Sequence, residues 1–319
     1  MMSQSHYFEP NANRPVGGRF APSPTGRMHA GNIYAALSAW LVAKSQGGTI
    51  VLRIEDLDRE RSKAEYITAV QRDFELLGLT WDRGPFFQHD RDEAYLEAFS
   101  ALERRGLVYP CFCTRADLHA ASAPHRGEKF VYPGTCRGLT AEQIAEKSMR
   151  RAPAQRLRVP DDTYSFEDMV QGRYKQNLAH DCGDFLIRRS DQAFAYQLAV
   201  VVDDAAQGVT SIVRGVDLLC STPQQLYLQE LLGLDHPRYA HIPLLVAEKN
   251  RRLSKRDHDA GIEELLARFK TPAAIIGHIA GICGLAPTCD PATPEQLLAT
   301  FDVARLPELF GDPVQIAWR

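Results

Sequence analysis

The sequence predicts an α/β fold with a doubly wound parallel sheet, and three features of its first hundred residues predict this fold. Residues 16–21 and 49–54 are strand-like, and the second segment is rich in β-branched side chains. Each is followed by a segment with the apolar spacing of a helix. A turn of proline and glycine, residues 22–26, separates the first strand from its helix. Strands that alternate with helices indicate βαβ units and a parallel sheet.

The other elements follow in order. Helices are predicted at 33–43, 66–77 and 94–102, and the pattern then breaks from Cys111 to about Asp168, where proline, arginine and cysteine accumulate. We interpret that stretch as an insertion. Strands are predicted at 185–187, 194–202 and 211–213, a helix at 223–232, and short helices from Thr271 onward. The predicted division is 16–110, first half of the main domain; 111–168, inserted subdomain; 169–256, second half; and 257–319, a short helical C-terminal region.

Composition and net charge limit how this protein could bind a nucleic acid. Of the 319 residues 45% are hydrophobic and 24% charged, and the formal net charge is -3, as in an ordinary globular protein. A nucleic-acid partner would therefore need a local basic surface. Arg150, Arg151, Arg156 and Arg158 are one candidate, although such a run is equally typical of a solvated face.

The sequence also predicts the cellular compartment in which the protein is found. It has no apolar run that could span a bilayer, and residues 1–15 are too polar for a secretory signal. Of seven cysteines only three cluster, which favours a metal site in a reducing compartment over a disulfide framework. We expect a cytoplasmic protein without a membrane partner, and a monomer.

Two loops carry residues suited to phosphate chemistry. The first runs from Arg19 to Asn32 between a strand and a helix, where helix N–H groups attract phosphate. Within it, His29 can donate to a phosphate oxygen and Gly31 permits close approach. The second loop, residues 251–256, reads Arg-Arg-Leu-Ser-Lys-Arg and can neutralise a leaving pyrophosphate. Each loop alone is also typical of an ordinary helix start or basic loop.

Together the two loops resemble the HIGH and KMSKS motifs of class I aminoacyl-tRNA synthetases. The segments Arg-Phe-Ala-Pro-Ser-Pro-Thr-Gly (19–26), Arg-Ile-Glu-Asp-Leu-Asp (53–58), 196–204 and 213–219 are similar to the glutamyl/glutaminyl branch, in the order of that branch. Asn32 replaces a second histidine of the first motif, and Arg252-Leu253 replaces Lys-Met. The resemblance implies a Rossmann-like catalytic domain that uses ATP and Mg²⁺, with ATP bound by Pro22, His29, Gly31, Asn32, Ser254 and Lys255.

The resemblance also implies glutamate as the amino acid. Glu55 would bind its ammonium group, Arg19 and Arg214 its carboxylates, and Tyr196 and Ser23 would supply hydrogen bonds. Which arginine meets which carboxylate stays open. Glutamine would leave a cation unpaired, at about 3–5 kcal/mol, and aspartate is discriminated by about 1–3 kcal/mol. The predicted glutamate site is Arg19, Phe20, Ala21, Pro22, Ser23, Glu55, Tyr196 and Arg214.

The predicted reaction is in-line attack of the glutamate α-carboxylate on the α-phosphorus of ATP, which gives an acyl-adenylate and pyrophosphate. Positioning and charge neutralisation dominate such a step. His29 and Lys255 are the predicted catalytic residues.

A metal centre is predicted in the insertion. Cys111, Cys113 and Cys136 are good zinc ligands and need a fourth donor for a tetrahedron. From the residue types alone, His119 or His125 would be a commoner fourth ligand than a phenol. The resemblance instead points to Tyr132, because Cys-x-Cys followed by Tyr-x-x-x-Cys is similar to the zinc-binding insertion of the glutamyl/glutaminyl branch. We predict structural Zn²⁺.

The acceptor is predicted from the length of the C-terminal region. Glutamyl- and glutaminyl-tRNA synthetases carry a large C-terminal part that reads the anticodon, whereas this chain continues after Arg256 only to residue 319. It resembles a truncated form of the branch that joins glutamate to the queuosine base of tRNA(Asp). The resemblance implies the tRNA(Asp) anticodon stem-loop as partner. Alternatives are a minimal enzyme that charges a tRNA 3′ end, an idle RNA-binding paralogue, and an adenylate-forming ligase of the pantothenate synthetase type.

Overall fold

The computed structural model describes residues 4–11, 13–114, 117, 131–247, 251–252, 261–310 and 315–318. Its helices are α1 (Ala30–Lys44), α2 (Ala64–Leu76), α3 (Asp92–Arg104), α4 (Ala141–Arg150), α5 (Leu178–Asp181), α6 (Tyr196–Ala206), α7 (Thr222–Leu232), α8 (Ile262–Phe269), α9 (Pro272–Ile282), α10 (Pro294–Leu298) and α11 (Leu306–Phe310). Its strands are β1 (Ser5–Phe8), β2 (Gly17–Phe20), β3 (Thr49–Ile54), β4 (Arg83–Phe87), β5 (Val108–Cys111), β6 (Ala154–Leu157), β7 (Thr163–Asp168), β8 (Gly172–Asn177), β9 (Phe185–Arg188), β10 (Ser211–Gly215), β11 (Arg238–Ile242), β12 (Leu244–Ala247), β13 (Arg251–Arg252) and β14 (Gln315–Ala317).

The parallel strands form two runs that adjoin at β2 and β10. β2, β3 and β4 pair in that order, and β10, β11, β7 and β1 form the second run, with β8 antiparallel at β7. The two runs meet where the backbone N–H of Thr210 donates to the carbonyl of Gly17 at 2.8 Å. The connection from β2 to β3 lies on one face of the sheet, and the connection from β10 to β11 lies on the other face. The crevice between β2 and β10 is therefore a topological switch point, where such sheets bind ligands.

Two apolar clusters cover the sheet. One contains α1, α2 and the C-terminal helices α8 to α11, and the other contains α3, α6 and α7. Helix α1 is buried on nearly every side, which suits its alanines and its Ile33, Leu37 and Leu41. The predicted fold class, a doubly wound Rossmann-like sheet with a short helical C-terminal region, is confirmed.

One predicted strand is wrong. The sequence predicts a strand at residues 194–202, yet Tyr196–Ala206 is helix α6. A short buried apolar run does not distinguish a strand from a core helix, and here burial in the second cluster overrides the β-propensity of the valines.

The region after β5 forms an antiparallel sheet. β5, β6 and β9 pair in that order, and helix α4 lies between β5 and β6 in sequence. The domain boundaries predicted at 110, 168 and 256 stay predictions. Among the described residues, no helix combines the length and apolar character required to cross a bilayer.

Candidate functional site

A cavity of about 470 Å³ lies where the carboxyl ends of β2 and β10 adjoin. Gly215 at the end of β10 lines it, and a Cβ there would approach Leu244 Cδ2 to 2.8 Å. The structure brings the whole predicted glutamate set to this one cavity. The lining includes Arg19, Phe20, Ala21, Pro22, Ser23, Glu55, Tyr196 and Arg214.

Local contacts hold the lining in place. Phe20 ends β2 with its ring 4.7 Å from that of Phe74 on α2. The backbone N–H of Glu55 donates to the carbonyl of Pro22 at 3.0 Å, which ties the loop after β2 to the end of β3. Tyr196 begins α6, and burial followed by the charge of Glu55 raises the pKa of its phenol. The phenol is therefore a neutral hydrogen-bonding group at neutral pH.

Two buried arginines face the cavity. Arg214 donates from Nε to His241 Nε2 at 3.0 Å and from Nη2 to Thr222 Oγ1 at 2.8 Å. Arg19 donates from Nη1 to the carbonyl of Val213 at 3.1 Å. Arg214 Nη1 and Arg19 Nε are buried, and the described residues offer neither of them a hydrogen-bond acceptor. Buried N–H groups of this kind require partners, and a carboxylate is a suitable acceptor for them.

A buried ion network links Arg19 with Glu55, and Arg53 is at its centre. Arg53 donates from Nη1 to Asp204 Oδ1 at 2.7 Å and from Nη2 to Glu55 Oε1 at 3.2 Å. Asp204 Oδ1 also lies 3.7 Å from Arg19 Nε. Burial lowers the pKa of Arg53, but Asp204, Glu55 and Asp203 outweigh this effect and raise it overall. The network fixes the positions of the anion and the cation that face the cavity.

Sequence reasoning did not assign Arg53 or Asp204 to the site. A usable signal was present, since Arg53 is a charged residue in the otherwise apolar strand Thr49–Ile54 and needs a buried partner.

Burial raises the pKa of Glu55, and Arg53 and Arg19 only partly offset this effect.

A second cavity, of about 280 Å³, adjoins the first. Asn32, Ala35 and Gly215 line both cavities, and His29 and Gly31 line the second. The smaller cavity therefore lies at the N-terminus of α1, as expected for the predicted phosphate loop.

His29 and Asn32 form a capping box on α1. His29 Nδ1 accepts from the backbone N–H of Gly31 at 3.1 Å, and Asn32 Oδ1 accepts from that of His29 at 3.1 Å. Because Nδ1 is an acceptor, the neutral imidazole carries its proton on Nε2. Asn32 thus serves the helix start, which accounts for an amide at this position. Glycine at position 31 also leaves room for the His29 ring, because a Cβ there would lie 3.1 Å from His29 Cε1.

Ser254 and Lys255 lie outside the described residues, but the residues on both sides of them are described. Arg252 on β13 pairs with Val246 on β12, and the backbone of Gly261 forms a β-bridge with His29. The chain therefore returns to the first phosphate loop directly after the segment that contains Lys255.

The three clustered cysteines converge. The sulfurs of Cys111, Cys113 and Cys136 lie within 4.8 Å of one another, and those of Cys113 and Cys136 are 3.7 Å apart. Tyr132 Oη is 3.4 Å from Cys111 Sγ and 3.8 Å from Cys113 Sγ. Ligands about 2.3 Å from zinc at the corners of a tetrahedron lie about 3.8 Å apart. The four donors fit Zn²⁺.

A buried cation adjoins this cluster. Arg156 donates from Nε to Cys111 Sγ at 3.2 Å, and its guanidinium lies 3.7 Å from the centre of the Tyr132 ring. Such a cation compensates the negative charge of thiolate ligands. His119 and His125 lie outside the described residues, so the choice between them and Tyr132 stays a prediction.

Comparison with known proteins identifies the family. Residues 15–283 match the family described as tRNA synthetases class I (E and Q), catalytic domain. The chain belongs to this family. It is therefore a class I aminoacyl-tRNA-synthetase-like ligase, as the two loops predicted.

The relatives give a narrower group. The chain is 44% identical to the glutamyl-Q tRNA(Asp) synthetase of Nitratidesulfovibrio vulgaris, over 92% of this chain and 94% of the relative. It is 42% identical to the protein of that name from Symbiobacterium thermophilum, over 94% and 95%. Among solved structures, the glutamate-tRNA synthetase of Elizabethkingia anophelis matches with a TM-score of 0.80 and 25% identity, over 96% of this chain and 68% of that one. The chain thus belongs with the glutamyl-Q tRNA(Asp) synthetases.

Proposed function

We propose that this protein activates L-glutamate with ATP and transfers the glutamyl group to the queuosine base in the anticodon loop of tRNA(Asp). The observation that carries the glutamate assignment is the pair of buried arginines, Arg19 and Arg214, that line the cavity, with Arg214 Nη1 left without an acceptor among the described residues. The names of the relatives support the acceptor. The likeness extends over nearly the whole of those proteins, so it is not confined to a shared nucleotide fold.

Within the larger cavity, Arg214 and Arg19 bind the substrate carboxylates, Arg214 through Nη1, and Glu55 binds the ammonium group with help from Tyr196. Charge complementarity disfavours glutamine, because its neutral amide would leave a buried cation without a counter-charge. The ion network through Arg53 keeps Glu55 and Arg19 in place before substrate arrives. Preorganisation of this kind reduces the ordering cost of binding.

ATP occupies the smaller cavity and extends toward the larger one. His29 donates from Nε2 to a phosphate oxygen, and the positive end of the α1 dipole adds to the attraction. Lys255 neutralises the leaving pyrophosphate with Mg²⁺ bound to the phosphates. The α-carboxylate of glutamate attacks the α-phosphorus, the bond to pyrophosphate breaks, and glutamyl-adenylate forms. A hydroxyl of queuosine then displaces AMP.

Cys111, Cys113, Cys136 and Tyr132 would hold Zn²⁺ in a structural role, because all four donors come from the protein. Arg156 on β6 donates to Cys111 at the end of β5, so a bound ion would also be tied to β6.

The experiment that tests this function is transfer of labelled glutamate to tRNA(Asp) purified with and without queuosine. We expect label only on the queuosine-containing tRNA, and we expect the label to resist nuclease trimming of the 3′ end. Label on the 3′ end of a tRNA(Glu) would instead identify a minimal charging enzyme. A protein that binds tRNA but shows no glutamate-dependent ATP–pyrophosphate exchange would be an idle paralogue.

The role of Lys255 is tested separately by Lys255→Ala in glutamate-dependent ATP–pyrophosphate exchange without tRNA. Loss of a transition-state charge is expected to lower the rate about 10²-fold or more. Lys175→Ala, which removes an exposed lysine on β8, is the matched control. A rate that is equal in the two variants would remove Lys255 from the mechanism.

A further inference from the structure

Arg214 is held in one orientation by three side chains. His241 accepts from Nε at 3.0 Å, and Thr222 and Gln225 accept from Nη2 at 2.8 and 2.9 Å. Nη1 has no acceptor among the described residues, and Arg214 lines the larger cavity. Three of the guanidinium N–H groups of Arg214 are therefore directed into the protein, and the N–H groups on Nη1 are directed to the cavity.

His241 can hold Arg214 only in one protonation state. Its ring is fully buried on β11, beside β10, and Nε2 must accept because an arginine N–H can only donate. Thr222 Oγ1 lies 3.2 Å from the same Nε2. This hydroxyl accepts from Arg214 and can donate its own proton to Nε2 when Nε2 is an acceptor. The contact with Arg214 therefore selects the tautomer with its proton on Nδ1, and the contact with Thr222 is compatible with it.

Asp168 accounts for that tautomer. Its Oδ2 lies 2.6 Å from His241 Nδ1, and its Oδ1 accepts from the backbone N–H groups of His241 and Val170 at 3.1 and 3.0 Å. The backbone of Gln171 donates to Oδ1 as well, at 2.9 Å. Each hydrogen-bond partner of this buried carboxylate among the described residues is thus a donor. Burial also lowers the pKa of His241, and the hydrogen bond to Asp168 only partly opposes this effect, so the ring is neutral at neutral pH.

We propose that Asp168 and His241 are positioning residues for glutamate binding: Asp168 fixes the tautomer of His241, and His241 fixes the orientation in which Arg214 meets a substrate carboxylate. The proposal rests on the proposed function, because it takes the larger cavity as the glutamate site. Neither residue lines that cavity, so both act through Arg214. The three residues come from β7, β11 and β10, which are neighbours in the sheet.

Asp168→Asn is the decisive change because it keeps the size and shape of the side chain. An amide has one acceptor and one donor end, whereas both oxygens of Asp168 accept. If the donor end faces His241, the ring must accept at Nδ1 and carry its proton on Nε2, where it opposes the N–H of Arg214. If the donor end faces the backbone, it opposes three N–H groups. Either orientation disturbs the hold on Arg214.

The test measures glutamate binding by calorimetry and, in parallel, the kinetics of ATP–pyrophosphate exchange. We expect Asp168→Asn and His241→Leu to weaken glutamate binding about 10- to 100-fold, the range for lost hydrogen bonds to a charged group. The KM for ATP should stay unchanged, as should kcat at saturating glutamate. His241→Gln places an amide oxygen near the position of Nε2 and should restore much of the affinity lost in His241→Leu. Thermal unfolding checks that each variant folds.

Asp184→Asn is the matched control, since Asp184 is also buried and also accepts from a backbone N–H, that of Val159. It should leave glutamate binding unchanged. If wild-type protein binds no glutamate, the proposed function fails. If wild type binds and Asp168→Asn binds equally well, or if its KM for ATP rises in parallel, the positioning role is overturned. Should His241→Leu not fold, Asp168→Asn and His241→Gln decide the question alone.

Discussion

The cysteine cluster and the larger cavity, the proposed glutamate site, differ in how far apart their residues lie along the chain. The four predicted zinc ligands lie between Cys111 and Cys136. The cavity instead draws Arg19 from β2, Glu55 from the end of β3 and Arg214 from β10. A metal site of local spacing can be recognised directly in a sequence, whereas a cavity assembled across a sheet cannot.

The two regions also differ in what holds their charges. The cluster has one buried cation, Arg156, in contact with its sulfurs and its tyrosine ring. At the cavity, Arg53 and Asp204 connect Glu55 with Arg19 through hydrogen bonds and ion pairs. His241 and Thr222 accept hydrogen bonds from Arg214 and hold it in place. Loss of the metal should therefore act locally, and loss of a cavity charge should act on substrate affinity.

The largest effect is expected from a substitution in the cysteine cluster, which should leave the cavity unaffected. Cys136→Ser should abolish stoichiometric zinc binding and lower the thermal midpoint, because structural zinc contributes about 10–16 kcal/mol of binding free energy in small zinc domains. Metal content is measured by atomic absorption, with the exposed Cys289→Ser as control. Glutamate affinity should be unchanged. A parallel loss of glutamate binding would show that the two regions are coupled.

Next in size is Arg214→Ala. Removal of a buried cation that meets a carboxylate costs about 3–5 kcal/mol, so kcat/KM for glutamate should fall by about 10²- to 10⁴-fold. Arg173→Ala, on the exposed side of β8, is the control. Zinc content should not change. A kcat/KM within experimental error of wild type would exclude Arg214 from the glutamate site.

A smaller change sharpens the ligand set of the metal. Tyr132→Phe keeps the ring against Arg156 but removes Oη, so zinc affinity should fall at least about 10- to 100-fold, as when the outer partners of a ligand are lost. Competition with a chromophoric chelator measures this affinity. If the affinity is unchanged, His119→Ala and His125→Ala identify the fourth ligand.

The smallest effect concerns pH. Burial raises the pKa of Glu55, while Arg53 and Arg19 lower it and Asp204 adds to the rise. Ionised Glu55 is the form that binds ammonium, so affinity is fully present above the raised pKa and is lost as pH falls through it. The glutamate dissociation constant should rise by up to about tenfold per pH unit there. Glu55→Gln should bind weakly without this dependence; a dependence that persists in Glu55→Gln would exclude Glu55 as its source.

The sequence predicted the order of strands and helices well where amphipathic spacing was clear, as in Ala64–Leu76 and Asp92–Arg104. It failed at Tyr196–Ala206, where local β-propensity and burial disagree. All the predicted glutamate-site residues came to one cavity, but they were found through resemblance to a family. Asp168, His241 and Asp204 were not assigned to the site because their partners lie on strands that are distant in sequence, and no local pattern marks such pairs.

The position of the cavity between β2 and β10 has a consequence for folding. Its charged groups come from both runs of the parallel sheet, so they converge only after the whole domain has formed. A ligand that binds there binds the native state and not the unfolded chain. Saturation with glutamate at a hundred times its dissociation constant would raise the free energy of unfolding by about 2.7 kcal/mol. Substrate supply and resistance to proteolysis would thus rise together.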